Sequence, residues 1–188
     1  MVGPLDADDA TGGTSDRELQ DLIDHARRDD AVDLRRRAHW LDRQAAAGAT
    51  LAGLLVDLGE RAQLVAVTSG SARQVRGVVV TLGTDFCGLR CANGERAMVA
   101  LAAIGTVRPE PGTGHPVGDR TVHHAASLAG ELAELAAGSP SVSVHTATGE
   151  AVTGELRAVG VDLLTVVSVT TGDAISVPLA NVADIALP

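Results

Sequence analysis

Apolar residues along this chain switch from helical spacing to alternation, and they do so twice. After Ser15-Asp16-Arg17-Glu18, which has the form of a capping box, Leu19, Leu22, Ile23 and Ala26 fall at i, i+3, i+4 and i+7. That spacing predicts a helix with one apolar stripe. A second helical stretch is expected from 31–33 through Arg35-Arg36-Arg37-Ala38-His39-Trp40-Leu41 towards Gly59. Its buried side would be Leu34, Leu41, Ala45, Leu51, Leu54, Leu55 and Leu58. Gly48 or Gly53 is the expected break, since glycine costs a helix ~1 kcal/mol relative to alanine. Residues 1–14, acidic and without periodicity, read as a disordered tail.

Beyond Gly59 the pattern becomes short β-branched runs separated by turn residues. The first set is 63–68, 73–82, 85–91, 96–101 and 104–108; the second is 141–146, 150–159, 162–170, 173–179 and 182–187. Between the sets, Pro109-Glu110-Pro111-Gly112-Thr113-Gly114-His115-Pro116 opens a linker assigned to 109–121. A helix from about Val122 to Ala137 follows, with Leu128, Leu132 and Leu135 as its stripe and Gly138 and Pro140 closing it. Asn93-Gly94 suits a type I′ hairpin, and Gly83 and Gly160 suit sharp bends late in the long strands. Pro178 lacks an N–H and belongs on an edge or at a bulge.

The two sets are versions of one segment. Thr50-Leu51-Ala52-Gly53 returns as Ser127-Leu128-Ala129-Gly130, and Leu55 and Leu58 return as Leu132 and Leu135. Val65, Val67, Val75, Gly77, Gly83 and Asp85 become Val142, Val144, Val152, Gly154, Gly160 and Asp162. After one inserted residue, Gly94, Val99, Leu101 and Ala102 become Gly172, Val177, Leu179 and Ala180. The expected organisation is therefore a helical segment at 15–49, a module at 50–108, the linker, and a second module at 122–188.

One helix followed by five bent strands, occurring twice, resembles the Sm-like small β-barrels of the LSm and Hfq superfamily. Gly77 with Asp85 and Gly154 with Asp162 stand where that family has its Gly…Asp element, and 99–104 and 177–182 resemble its closing strand-turn-strand. The whole order is similar to a group of actinobacterial proteins with a helical segment and tandem barrels. The resemblance implies an α+β fold: an N-terminal helical segment followed by two helix-plus-five-strand Sm-like/SH3-like small barrels. RNA-binding members carry an Asn shortly after the Asp and an Arg-Gly or Lys-His pair in the closing turn. Here the corresponding stretches are Phe86-Cys87-Gly88 and Leu163-Leu164-Thr165, with Ala102-Ala103 and Ala180-Asn181 in the turns. The family's nucleotide pocket therefore does not carry over.

Composition narrows the chemistry. The net charge is −9, from 24 acids and 15 bases, and every base is arginine. Trp40 and Phe86 are the only aromatic residues, so the rings on which single-stranded nucleic acid stacks are missing. The bases are uneven, however. Arg73, Arg76, Arg90, Arg96 and Arg108 mark the first module, against Arg157 alone in the second. A basic module could meet an acidic one, or it could bind RNA or DNA through those five arginines. Arg35-Arg36-Arg37 spreads round a helix rather than along one face, with Asp29, Asp30, Asp33 and Asp42 nearby.

Catalytic and metal signatures are missing from the sequence. Cys87 and Cys91 would lie ~13 Å apart on an extended strand, too far for a disulfide, and read as free thiols. His115, His123 and His124 do not have chelating spacing, and His145 reads as an ordinary outward residue. Asp85 and Asp162 suit turn capping better than catalysis. No apolar run reaches the ~18 residues of a membrane span, and the stretch Met1-Val2-Gly3-Pro4-Leu5-Asp6 has no basic n-region, which points to the cytoplasm. The expectation is a non-enzymatic interaction or assembly protein, with no cofactor and no metal. Its partners would be proteins or itself, with RNA or DNA the alternative.

Overall fold

A computed structural model describes residues 34–41, 43–44, 46–70, 72–111 and 126–188. The tail at 1–14, the capped helix after Ser15, most of the linker, and His115, His123 and His124 lie outside them. Residues 1–47 and 48–188 form separate units. The described residues of the first unit are helical at 34–41, 43–44 and 46–47, and Leu34, Trp40 and Leu41 are exposed. The expected buried side of this helix is thus uncovered at Leu34 and Leu41.

The helix stops at Gly48, and a new one, α1 (Leu51–Glu60), begins after Thr50. Thr50 has extended backbone, and its hydroxyl accepts from the Gly53 amide at 3.0 Å. Strands β1 (Leu64–Ser69), β2 (Gln74–Leu82), β3 (Phe86–Cys91), β4 (Arg96–Ala100) and β5 (Ile104–Pro109) follow. Then come α2 (Leu128–Ala136), β6 (Ser141–Thr146), β7 (Ala151–Val159), β8 (Leu163–Val167), β9 (Ala174–Pro178) and β10 (Val182–Leu187). Ser127 caps α2 by accepting from the Gly130 amide, so this helix starts later than the sequence pattern suggested.

The expected α+β arrangement of two separate helix-plus-five-strand barrels is not what forms. All ten strands join one open antiparallel sheet, in the order β5-β1-β2-β3-β4-β10-β6-β7-β8-β9. The reason lies at its centre. β4 takes β10 as its second neighbour, Asp184 opposite Val99 and Ile185 opposite Met98, while β10 also pairs with β6. Two repeats are thereby stitched into one sheet rather than each closing on itself.

Two cores lie on opposite faces of this sheet. Leu55 and Leu58 of α1 pack on Val65, Val67, Val75, Val79, Cys87, Leu89, Ala97 and Val99. Leu128 and Leu132 of α2 pack on Val142, Val144, Val152, Leu156, Leu164, Val166 and Ile185, and Phe86 of β3 joins them. Met98 and Ala100 of β4 pack against that second core as well. Successive side chains on a strand point to opposite faces. Cys87 and Leu89 therefore serve one core while Phe86 serves the other, and β3 and β4 form a wall common to both.

Turn chemistry departs from expectation at Asn93-Gly94. Gly94 takes φ +86°, but Asn93 is not in the left-handed region; its side chain accepts from the Glu95 amide. With the Cys91 amide donating to the Glu95 carbonyl and the Gly94 amide to the Cys91 carbonyl, the turn leaves one residue more than a type I′ hairpin would. The bends in the long strands come from register shifts at 79–81 and 156–158, ahead of Gly83 and Gly160. Gly83 instead makes room for an aromatic ring, since a Cβ there would stand 2.1 Å from Phe86.

Candidate assembly interface

The junction between β4 and β10 joins the two repeats. Its polar centre is Asp184, a carboxylate with no exposure. The Ser69 hydroxyl donates to one oxygen at 2.9 Å, and the Arg73 guanidinium donates to the other. Nδ1 of His145 stands 3.0 Å from that second oxygen. Ser69 and Arg73 come from the first repeat, whereas His145 and Asp184 come from the second. A buried charge without partners is costly, so this group holds only when both repeats are docked.

Three further contacts fasten the repeats. Asp85 accepts from the Leu128 amide at 2.7 Å, placing a carboxylate at the positive end of α2. Thr84 donates its amide and its hydroxyl to the Ala126 carbonyl. Phe86 enters the second core beside Leu128. Asp85 thus caps a helix of the other repeat rather than a turn of its own. The cleft between the repeats, about 430 Å³, is lined largely by alanines (Ala100, Ala102, Ala103, Ala129, Ala147 and Ala180) and offers little polar chemistry.

The sheet ends on β5 and β9, which are the repeat counterparts of β10 and β4. Among the described residues each pairs with one neighbour, β1 and β8 respectively. Residues buried at the junction have counterparts left open at these ends. Phe86 is 1% exposed and its counterpart Leu163 is 40%; Leu128 is 4% and Leu51 is 39%; Ala97 is 2% and Ile175 is 36%. The same sequence positions are covered once and bare once.

The five candidate arginines divide. Arg73 is committed to Asp184 in the junction. Arg76 and Arg108 lie on either side of Ala66 in one row across β2, β1 and β5, and Arg90 on β3 stands directly opposite Arg96 on β4. Register puts these four on one sheet face, since Arg90 also faces Val78, two residues on from Arg76. His145, expected to be an ordinary outward residue, is instead part of the junction. So is Asp184, which in sequence looks like one more acid on an acidic module. In the repeat, Arg73 and Asp184 correspond to Glu150 and Thr106, so neither charge is shared by the two copies.

Cys87 and Cys91 are free. Burial pushes the Cys87 thiol up to about 12, and burial also raises Cys91, reinforced by Glu95. Neither is poised as a thiolate nucleophile. Among the described residues, no group of three or more His, Cys, Asp or Glu is placed to hold a metal ion. Nor is any described helix long and apolar enough to cross a membrane. No protein-family model matches the chain, and no curated protein matches it either.

Proposed function

We propose that this chain is a non-enzymatic protein-interaction module that assembles through the edges of its sheet. The observation that carries this reading is the β4–β10 junction, an edge-to-edge union of two like segments, with the counterpart edges β5 and β9 left single. Unpaired N–H and C=O groups on an edge strand are a template for another strand. The apolar groups bared beside those edges add the burial that association needs. Multi-angle light scattering of the full chain over a range of concentrations tests the reading. A mass that rises above the monomer supports it, and a monomer at every concentration, together with no captured protein partner, removes it.

A second reading has one observation in its favour. Arg76, Arg90, Arg96 and Arg108 share a sheet face, which suits phosphate better than four scattered charges would. The overall charge of −9 and the shortage of aromatic rings weigh against it. Salt-dependent binding of labelled RNA or DNA, lost on Arg76→Ala with Arg108→Ala, would establish it over the first.

A further inference from the structure

We infer that the cleft between α2 and the arginine pair Arg90 and Arg96 binds a small amphipathic anion, an apolar chain that ends in a single carboxylate. The inference is independent of the assembly reading above.

The opposed arginines are the first observation. The Cys91 amide donates to the Glu95 carbonyl, and bonded pairs alternate with non-bonded ones along an antiparallel ladder. Arg90 and Arg96, the next opposed residues, are therefore a non-bonded pair, the arrangement in which side chains stand closest. Like charges placed directly opposite destabilise a sheet. Among the described residues, neither guanidinium has a hydrogen bond or ion pair to offset the repulsion. Nor does the fold call for arginine here. The repeat counterparts, Val167 and Ala174, face each other in the same way and carry no charge. A pair that the ladder disfavours, and that the other repeat does without, suits an anion held between the two side chains.

The cleft beside the pair supplies the rest. It measures about 350 Å³, and Val80, Thr81, Gly88 and Met98 line it together with the two arginines and Glu131 of α2. Phe86, Gly88 and Arg90 alternate along β3 and share a face with Met98 and Arg96 of β4. Phe86 and Met98 pack in the second core, so one strip of sheet runs from an apolar end to a cationic end. Val80, 49% exposed, extends the apolar side towards solvent. Gly88 keeps the floor low, since a Cβ there would stand 3.2 Å from the Thr81 side chain. An apolar hollow with a few convergent polar groups takes a ligand of the same polarity pattern. Charge then selects the head group. Two guanidiniums against the Glu131 carboxylate leave one positive charge in the lining, which matches a carboxylate rather than a phosphate dianion. A guanidinium fork also fits the two oxygens of a carboxylate.

Calorimetric titration of the full chain with octanoate, kept below its micelle concentration, tests the site. One octanoate should bind per chain. Butanoate should bind at least about tenfold more weakly, because fewer methylenes are buried, and octan-1-ol should lose a similar factor for want of a charge. Arg90→Gln with Arg96→Gln should weaken octanoate binding by at least about tenfold. The thermal midpoint of that double variant should stay level or rise, because a like-charge pair has gone. Glu131→Gln should tighten octanoate binding several-fold. No octanoate binding, or equal binding by the parent and the double arginine variant, overturns the site. A midpoint that falls in the double variant overturns the argument from the opposed charges. Octyl phosphate binding more tightly than octanoate overturns the choice of carboxylate.

Discussion

Arg73→Met should destabilise the protein through Asp184, not through any contact of its own. Asp184 is fully buried, and Arg73 is the guanidinium that meets it. Taking one partner from a buried pair costs about 3–5 kcal/mol, because the remaining charge stays in a poorly polarisable surrounding. Two features moderate the loss here: the Ser69 hydroxyl and His145 still reach the carboxylate, and the Arg73 side chain is 36% exposed. Screening of a partly exposed partner puts the expectation at the lower end, about 3 kcal/mol. Asp184→Asn added to Arg73→Met removes the stranded charge while keeping a hydrogen-bonding group in place. The double variant should therefore recover more than half of the loss. Urea unfolding followed by far-ultraviolet circular dichroism is the suitable assay, since the one tryptophan, Trp40, is exposed and belongs to the other unit. The denaturant slope should be unchanged while the midpoint falls. A single variant within about 0.5 kcal/mol of the parent, the ordinary range of a surface change, refutes the argument. So does a double variant no more stable than Arg73→Met alone.

Phe86→Ala should cost about 3–5 kcal/mol. Although Phe86 lies in the first repeat, amide exchange should speed up in β6–β8 as well, since the ring packs in the second core. Gly154→Ala should be far more damaging than Gly94→Ala. A Cβ at 154 would stand 2.2 Å from the Val167 carbonyl oxygen, whereas at 94 it meets nothing within 4 Å and only the φ of +86° resists. The second change should cost on the order of 1 kcal/mol by thermal unfolding, and the first should prevent a stable fold. For Cys87, burial raises the thiol from 9.0 to about 12, so its neutral form favours the folded state. Stability tied to this group is complete below pH 9.0 and is lost as pH climbs towards about 12. Cys87→Val should show a shallower alkaline decline in denaturation midpoints; equal declines would mean the thiol does not contribute.

Much of the local structure is legible in the residue pattern. Alternating valines mark the core faces of β1, β2, β6 and β7, whereas the expected helices run through Thr50 and Ser127, after which the helices in fact begin. Pairing is a different matter. Period-two alternation says which side chains share a face, but not which strand lies alongside or which core a face meets. Nothing in Arg96–Ala100 says that its neighbour is Val182–Leu187 rather than a strand of its own repeat. The nearest hint is Phe86-Cys87-Gly88-Leu89, buried at every position, as a strand covered on both faces should be. Charge misled for a related reason. Arg73 and Asp184 look like surface residues of a basic and an acidic module, since ionisable groups are rarely buried unless paired. Only the docked repeats reveal the pair.

The β4–β10 seam also sets an order of events for a chain made from its N-terminal end. Arg73 and Asp184 are 111 residues apart in sequence. At about 5–20 residues per second, the ribosome needs on the order of ten seconds to bridge that gap. Through that interval β4 has strand β3 on one side and no second neighbour, while Phe86 and Met98 have no core to enter. The first repeat must wait half-finished for the second, and closing so distant a contact is slow in itself. Whatever guards that bare edge in the cell, a chaperone or the crowd of neighbouring chains, acts on a species that the finished fold no longer displays.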